Sequence, residues 1–159
     1  MWLLLLACAR PPACPPGLWA DPARLDRLDT LVPGGAPAPV CFGPGVEAAI
    51  TASGQVRLDA SWPDAALAAR LAHLGRHRPI PPGPACLEAA LRQEGEAWDA
   101  ELRLRQALGA MDQPGSPPFA EAWTRGGPPA VEAWLRAHPD GAPGVPAALH
   151  QLSARCALP

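Results

Sequence analysis

Residues 64–78 read D-A-A-L-A-A-R-L-A-H-L-G-R-H-R, with Trp62 and Pro63 ahead of them and Pro79 behind. Leu67, Leu71 and Leu74 recur at helical spacing. The S-W-P-D signal at 61–64 starts the element and Pro79 stops it, which predicts a helix from Pro63 to about Arg78. His73 and His77 stand four residues apart. On such a helix both imidazoles share one face, one turn apart, where they can grip a single metal ion.

Downstream, residues 79–84 (P-I-P-P-G-P) form a stiff loop. The stretch from Ala85 to about Leu108 is the longest predicted helix, free of Pro and with Gly only at position 95. Leu87, Leu91, Trp98 and Leu102 fall on one side by the 3.6-residue period, and Glu94 falls on that same side. Glu88, Glu96 and Asp99 lie elsewhere, and Glu101 flanks the stripe. A carboxylate on an apolar face is costly to bury unless it is paired or bound to a cation. His73, His77 and Glu94 are therefore the candidate two-histidine, one-carboxylate metal site, spread over two neighbouring helices. Two features oppose it. Arg70, one turn before His73, brings a cation near the same face, and no second acid is evident to orient a ligand histidine. The bland alternative makes the two histidines partly exposed helix residues, with Glu94 paired to Arg70 or to a histidine.

Working outward, Val46–Asp59 (V-E-A-A-I-T-A-S-G-Q-V-R-L-D) suits a hairpin: Ala48–Ala52, a Ser53–Gly54 turn, then Gln55–Asp59 with Val56 and Leu58 alternating. Residues 21–32 allow a short helix capped by Asp21, with Pro22 in its first position. A Pro-rich arm precedes it, and a Pro/Gly loop runs on to about residue 45. After Gly109 come short tail helices at Pro118–Thr124, Pro128–Ala137 and Pro146–Cys156, with Trp123 and Trp134 as anchors against the core. The fold class is thus mainly α with a small β-hairpin. The organisation expected is a signal- or lipobox-like segment at 1–8, a Pro-rich arm with a short helix at 9–45, and a single helical domain at 46–157.

Composition agrees with short helices joined by rigid loops. The 159 residues suit one modest domain, and the 23 Pro and 15 Gly crowd into the loops rather than spreading evenly. All 13 basic residues are Arg, interleaved with Asp and Glu, and the net charge is −2. No run or face concentrates cations, so nucleic acid is not an expected partner. There is no G-x-S-x-G, phosphate loop or dinucleotide fingerprint. His138 and His150 lack a Ser or Cys partner and read as surface residues.

The order hairpin, helix with H-L-G-R-H, loop, helix with a downstream Glu resembles the minimal core of gluzincin-type metallopeptidases over about residues 46–110. That family carries HExxH, and E-G-E-A-W around Glu94 is similar to its third-ligand region. The resemblance implies a zincin-like helical core and zinc held by His73, His77 and Glu94. It fails at one decisive position. The family has Glu directly after the first His, as the general base for the zinc-bound water; this chain has Leu74, which cannot accept a proton. The implied protein is a pseudo-peptidase with no catalytic residue, serving as a binding or structural module. Two alternatives stand beside it. One is a zinc-dependent hydrolase that recruits Glu96, Asp99 or Glu101 as its base. The other is an unrelated disulfide-stapled lipoprotein in which Glu94 and His73 lie apart.

The chain starts M-W-L-L-L-L-A and then Cys8. An apolar run ending in L-L-A-C resembles the lipobox of bacterial lipoproteins, which implies export and lipidation of Cys8. It departs from that pattern in lacking a positive n-region and in being short; a true start further upstream would explain both. The run is too short to span a bilayer. The expected location is the cell envelope or periplasm, membrane-bound only through the lipid, with an unidentified protein partner there; secretion is the alternative. Four cysteines remain: Cys14, Cys41, Cys86 and Cys156. An even count in an exported chain reads as two disulfides with three possible pairings. Cys14–Cys41 would tie the arm to the loop before the core, and Cys86–Cys156 would staple the last helix to the second core helix. Free buried thiols in a cytoplasmic protein are the competing reading.

Overall fold

The computed structural model describes residues 14–35, 39–45, 48–51, 54–142, 145, 152–153 and 156. Among them are four α-helices and a small three-stranded sheet, so the chain is mainly α with a small β element. Helix α1 spans Pro22–Leu31, and the Asp21 side chain accepts from the Arg24 amide at 2.9 Å, the cap its sequence calls for. Strand β1 is Val40–Gly43, β2 is Ala49–Ile50 and β3 is Val56–Asp59. Helices α2 (Asp64–Leu74), α3 (Cys86–Ala107) and α4 (Ala120–Ala137) follow.

The expected hairpin is the antiparallel pair β2–β3, with Ile50 opposite Val56; Ala52 and Ser53 of its turn lie outside the described residues. The Pro/Gly loop expected up to residue 45 instead contains β1, which pairs in parallel with β3, Val40 opposite Val56 and Phe42 opposite Leu58. Val40, Cys41 and Phe42 are consecutive buried residues on a short strand, so the alternating pattern that marks a half-exposed strand is missing. An isolated bridge joins Phe42 to Trp19. Residues 21–45, read as part of an arm, thus supply α1 and β1 to the same core as β3 and α2.

That first core gathers Leu28, Phe42, Val56, Leu58, Leu67 and Leu71. Arg24 clips α1 to the start of α2: it donates to Asp64 Oδ1 at 2.7 Å, to the Ala60 carbonyl at 2.8 Å and to the Trp62 carbonyl at 2.5 Å. A second core lies on the other side of α3, where Leu91, Trp98 and Leu102 meet Phe119, Val131 and Leu135. Leu104 and Leu108 reach back into the first core. α3 is therefore the shared wall, with α2 on one flank and α4 on the other.

One helix ends earlier than expected. Helix α2 stops at Leu74 rather than near Arg78. Gly75 weakens the helix and Pro79 disfavours helical backbone at Arg78, and single turn bonds carry the chain on, from Arg76 N–H to the His73 carbonyl and from His77 N–H to the Leu74 carbonyl. The two tail helices expected at 118–124 and 128–137 are both present within the span α4, separated at Gly127, whose φ of 60° and ψ of −154° are non-helical and open only to glycine. Of the helix expected at Pro146–Cys156, residues 152, 153 and 156 are helical and the others lie outside the described residues.

Both disulfides pair as expected: Cys14–Cys41 with Cα atoms 5.7 Å apart and Cys86–Cys156 with Cα atoms 5.6 Å apart. Cys8 and His150 lie outside the described residues. Among the described residues no helix is long and apolar enough to cross a membrane.

Candidate metal site

α2 and α3 pack side by side, and the three residues singled out in the sequence meet across that seam. His73 Nε2 lies 3.7 Å from Glu94 Oε2, and His77 Nδ1 lies 3.7 Å from Glu94 Oε1. Each carboxylate oxygen faces one imidazole. One ligand atom from each of the three residues can be chosen so that all lie within 4.8 Å of one another. Two ligands on one tetrahedral zinc, bonded at about 2.0–2.1 Å, stand roughly 3.3 Å apart. Taking one ligand atom from each residue, the donor set would have to close by up to about 1.5 Å to hold one divalent ion. His77 is not on the helix, as its spacing suggested, but in the turn just beyond it. The ring centroids of His73 and His77 are nevertheless 5.1 Å apart, because the turn bonds after Leu74 hold the chain near helical register.

His73 is buried, with its ring set edge-on to Trp98 at 4.4 Å. Burial above all, and then the charges of Arg70 and His77, hold its pKa well below the ordinary imidazole value. At neutral pH the ring is uncharged, the form that binds metals.

Behind His73 stands a residue the sequence reading placed only at the flank of the stripe. Glu101 is fully buried. Its Oε1 accepts from Arg105 Nε at 2.9 Å and lies 3.4 Å from Arg70 Nη2, while its Oε2 lies 3.4 Å from His73 Nδ1. Burial raises its pKa, against the pull of Arg70 and Arg105. Arg105 is also fully buried and donates to the carbonyls of Ala110 and Pro114. A buried acid that the spacing did not single out thus stands beside His73. Its signal was the seven-residue step from Glu94 to Glu101, two turns on one face, together with an Arg at i+4.

The objection raised by Arg70 also changes. Its guanidinium lies over the Trp98 ring at 4.8 Å and near the Trp62 ring at 5.8 Å, donates to the Gly115 carbonyl at 3.0 Å and pairs with Glu101. Its charge is opposed by a carboxylate and held against two indoles.

Of the bases considered for a hydrolase, Glu101 lies on the Nδ1 side of His73, and the other two are exposed or engaged elsewhere. Leu74 belongs to the first core. Glu96 is exposed. Asp99 accepts from Trp123 Nε1 at 2.9 Å and from Arg103 Nε at 2.8 Å. His138 is exposed and stacks on Trp134 at 4.0 Å. A cavity of about 170 Å³ abuts His77 and is lined by Ile80, Ala90, Gln93 and the Cys86–Cys156 disulfide.

The chain matches no protein-family model, and no curated protein and no solved structure matches it.

Proposed function

We propose that the protein is a non-catalytic, metal-binding module of the cell envelope, related in its site to zinc peptidases but without their general base. One observation carries the reading: His73 of α2, His77 of the turn after it and Glu94 of α3 converge, and the residue after His73 is a leucine committed to the core. Two imidazoles and one carboxylate are the ligand types of a zinc site with an open position. When bound, zinc would supply a Lewis-acidic centre; His73, His77 and Glu94 would hold it. Without a base at residue 74, the site serves binding or structure rather than turnover. The envelope location is supported by the L-L-A-C pattern ahead of Ala9 and by the two disulfides, which persist in oxidising compartments. The test is the zinc content and affinity of the purified protein beside its His77→Ala variant. Stoichiometric zinc that the variant loses supports the reading, and a wild-type protein free of zinc after exposure to the ion overturns it.

A further inference from the structure

The buried side of the site contains more than its ligands require. Among the described residues, His73 Nδ1 and Glu101 Oε2 are buried atoms with no hydrogen-bond partner, and they face each other at 3.4 Å. That is longer than a formed N–H···O bond of about 2.7–3.2 Å, but a small shift brings the two atoms within bonding distance. We infer that Glu101 is the positioning residue of His73: Oε2 accepts the Nδ1 proton and so leaves Nε2 bare toward Glu94 and an incoming divalent metal. This rests on the metal-site reading for its consequence, but the orientation itself does not need a metal.

The two arginines determine which carboxylate oxygen is left for the imidazole. Guanidinium groups only donate. Arg105 Nε at 2.9 Å and Arg70 Nη2 at 3.4 Å both address Oε1, so Oε1 must remain an acceptor. Oε2 is then the atom left for the imidazole. A neutral imidazole has one donor and one acceptor nitrogen, and an acceptor placed at Nδ1 selects the tautomer whose Nε2 carries the lone pair. Nε2 is the nitrogen that lies beside Glu94. Arg105 in turn donates to the carbonyls of Ala110 and Pro114, so the guanidinium that holds Glu101 is itself fixed to the loop after α3.

Glu101→Gln makes this testable without changing size. Arg105 and Arg70 keep the amide oxygen in the Oε1 place, which turns the NH₂ toward His73 Nδ1. An amide donor there forces the opposite tautomer, with the proton on Nε2. The experiment is ¹⁵N NMR of the His73 ring in the metal-free full chain at neutral pH, wild type and Glu101→Gln, together with Zn²⁺ affinity by chelator competition. The expected result is an Nδ1–H ring in the wild type, an Nε2–H ring in the variant, and zinc binding weaker by about 10- to 100-fold. An Nε2–H ring in the wild type overturns the inference, and needs no variant to fold. An unchanged tautomer in a folded Glu101→Gln protein overturns it too. If the tautomer inverts but the wild type takes up no zinc, the orientation role stands and the metal reading is the one that fails.

Discussion

Glu94 stands 3.7 Å from His73 with one carboxylate oxygen and 3.7 Å from His77 with the other. A group so placed links a rigid helix residue to a turn residue, and it makes the three side chains unequal. His73 is buried in the seam, whereas the His77 side chain is 21% exposed. His77→Ala should therefore remove metal with little effect on the metal-free fold, within about 0.5 kcal/mol, as for partly exposed positions generally. Zinc at a hundred times its dissociation constant should stabilise the wild type by about 2.7 kcal/mol and leave the variant's melting unchanged. Equal zinc-induced shifts in both proteins would remove His77 from the site.

A pH dependence follows from the contact between α1 and α2. Asp64 accepts from Arg24 Nε at 2.7 Å and from Arg27 Nε at 3.1 Å. Partial burial raises its pKa, but the hydrogen bonds and charges of the two arginines outweigh this and hold the carboxyl below its ordinary value. A depressed folded pKa means that the stabilisation is present above the unfolded value, about 3.9, and is lost as pH falls through the folded one. Asp64→Asn should cost about 1 kcal/mol at pH 7, since the Arg27 half of the pair is solvent-exposed. The gap to wild type should close toward pH 2. Urea melts at both pH values check this; an undiminished gap in acid would show that the carboxylate's charge is not what matters.

The helices and the hairpin were legible because their signals are local: periodic leucines, an Asp-Pro start, Ser-Gly between alternating residues. So were the metal candidates, which depend only on spacing along two helices. Strand β1 was not, because Val40–Gly43 is buried throughout and its partner β3 is parallel and non-local. The burial of Glu101 and Arg105 was not legible either. α3 is packed on both flanks, so a position beside the leucine stripe is interior rather than solvated. Spacing along α3 alone leaves a charged pair at i, i+4 beside the stripe, and the partners that bury it, Arg70 and His73 of α2 and the carbonyls of Ala110 and Pro114, are set by the tertiary fold.

Gly115 gives a stability test of the loop that anchors this pair. Its φ is +77°, and a Cβ there would run into the Trp62 indole, the ring near which Arg70 sits. Gly17 has a similar φ of +82° with open space around it. Gly17→Ala should then cost about 1 kcal/mol from backbone strain alone, and Gly115→Ala about 2–3 kcal/mol, because the indole must also move. Thermal melts of the two variants separate the terms. Equal losses would mean that Trp62 swings aside freely and does not hold Arg70.

The two disulfides should differ in weight. Cys86–Cys156 spans 70 residues and Cys14–Cys41 spans 27. On the chain-entropy account the longer closure stabilises by about 4.4 kcal/mol and the shorter by about 3.5 kcal/mol. Replacing each pair by alanine should lower the melting temperature in that order. Loss of Cys86–Cys156 should also open the cavity beside His77, read as faster zinc exchange. If the shorter bond proves the heavier, the β1 region depends on its tether more than on its packing.

Leu74 carries the sharpest test of the missing base. It is 7% exposed and packs with Leu67 and Leu71 in the first core. Leu74→Glu removes apolar burial and brings a carboxyl to the core's edge, at a cost of about 2–4 kcal/mol. The variant should therefore melt lower while its helix content by circular dichroism stays near wild type. If the site resembles the peptidases in function, zinc-loaded Leu74→Glu should cleave a fluorogenic peptide library, and wild type should not. Hydrolysis by the wild type, abolished in His77→Ala, would show that a base other than residue 74 serves the metal and would end the non-catalytic reading. A folded, zinc-loaded variant with no turnover would leave the metal site intact but sever its tie to peptidase chemistry, because supplying the base at the family's own position would then have supplied nothing.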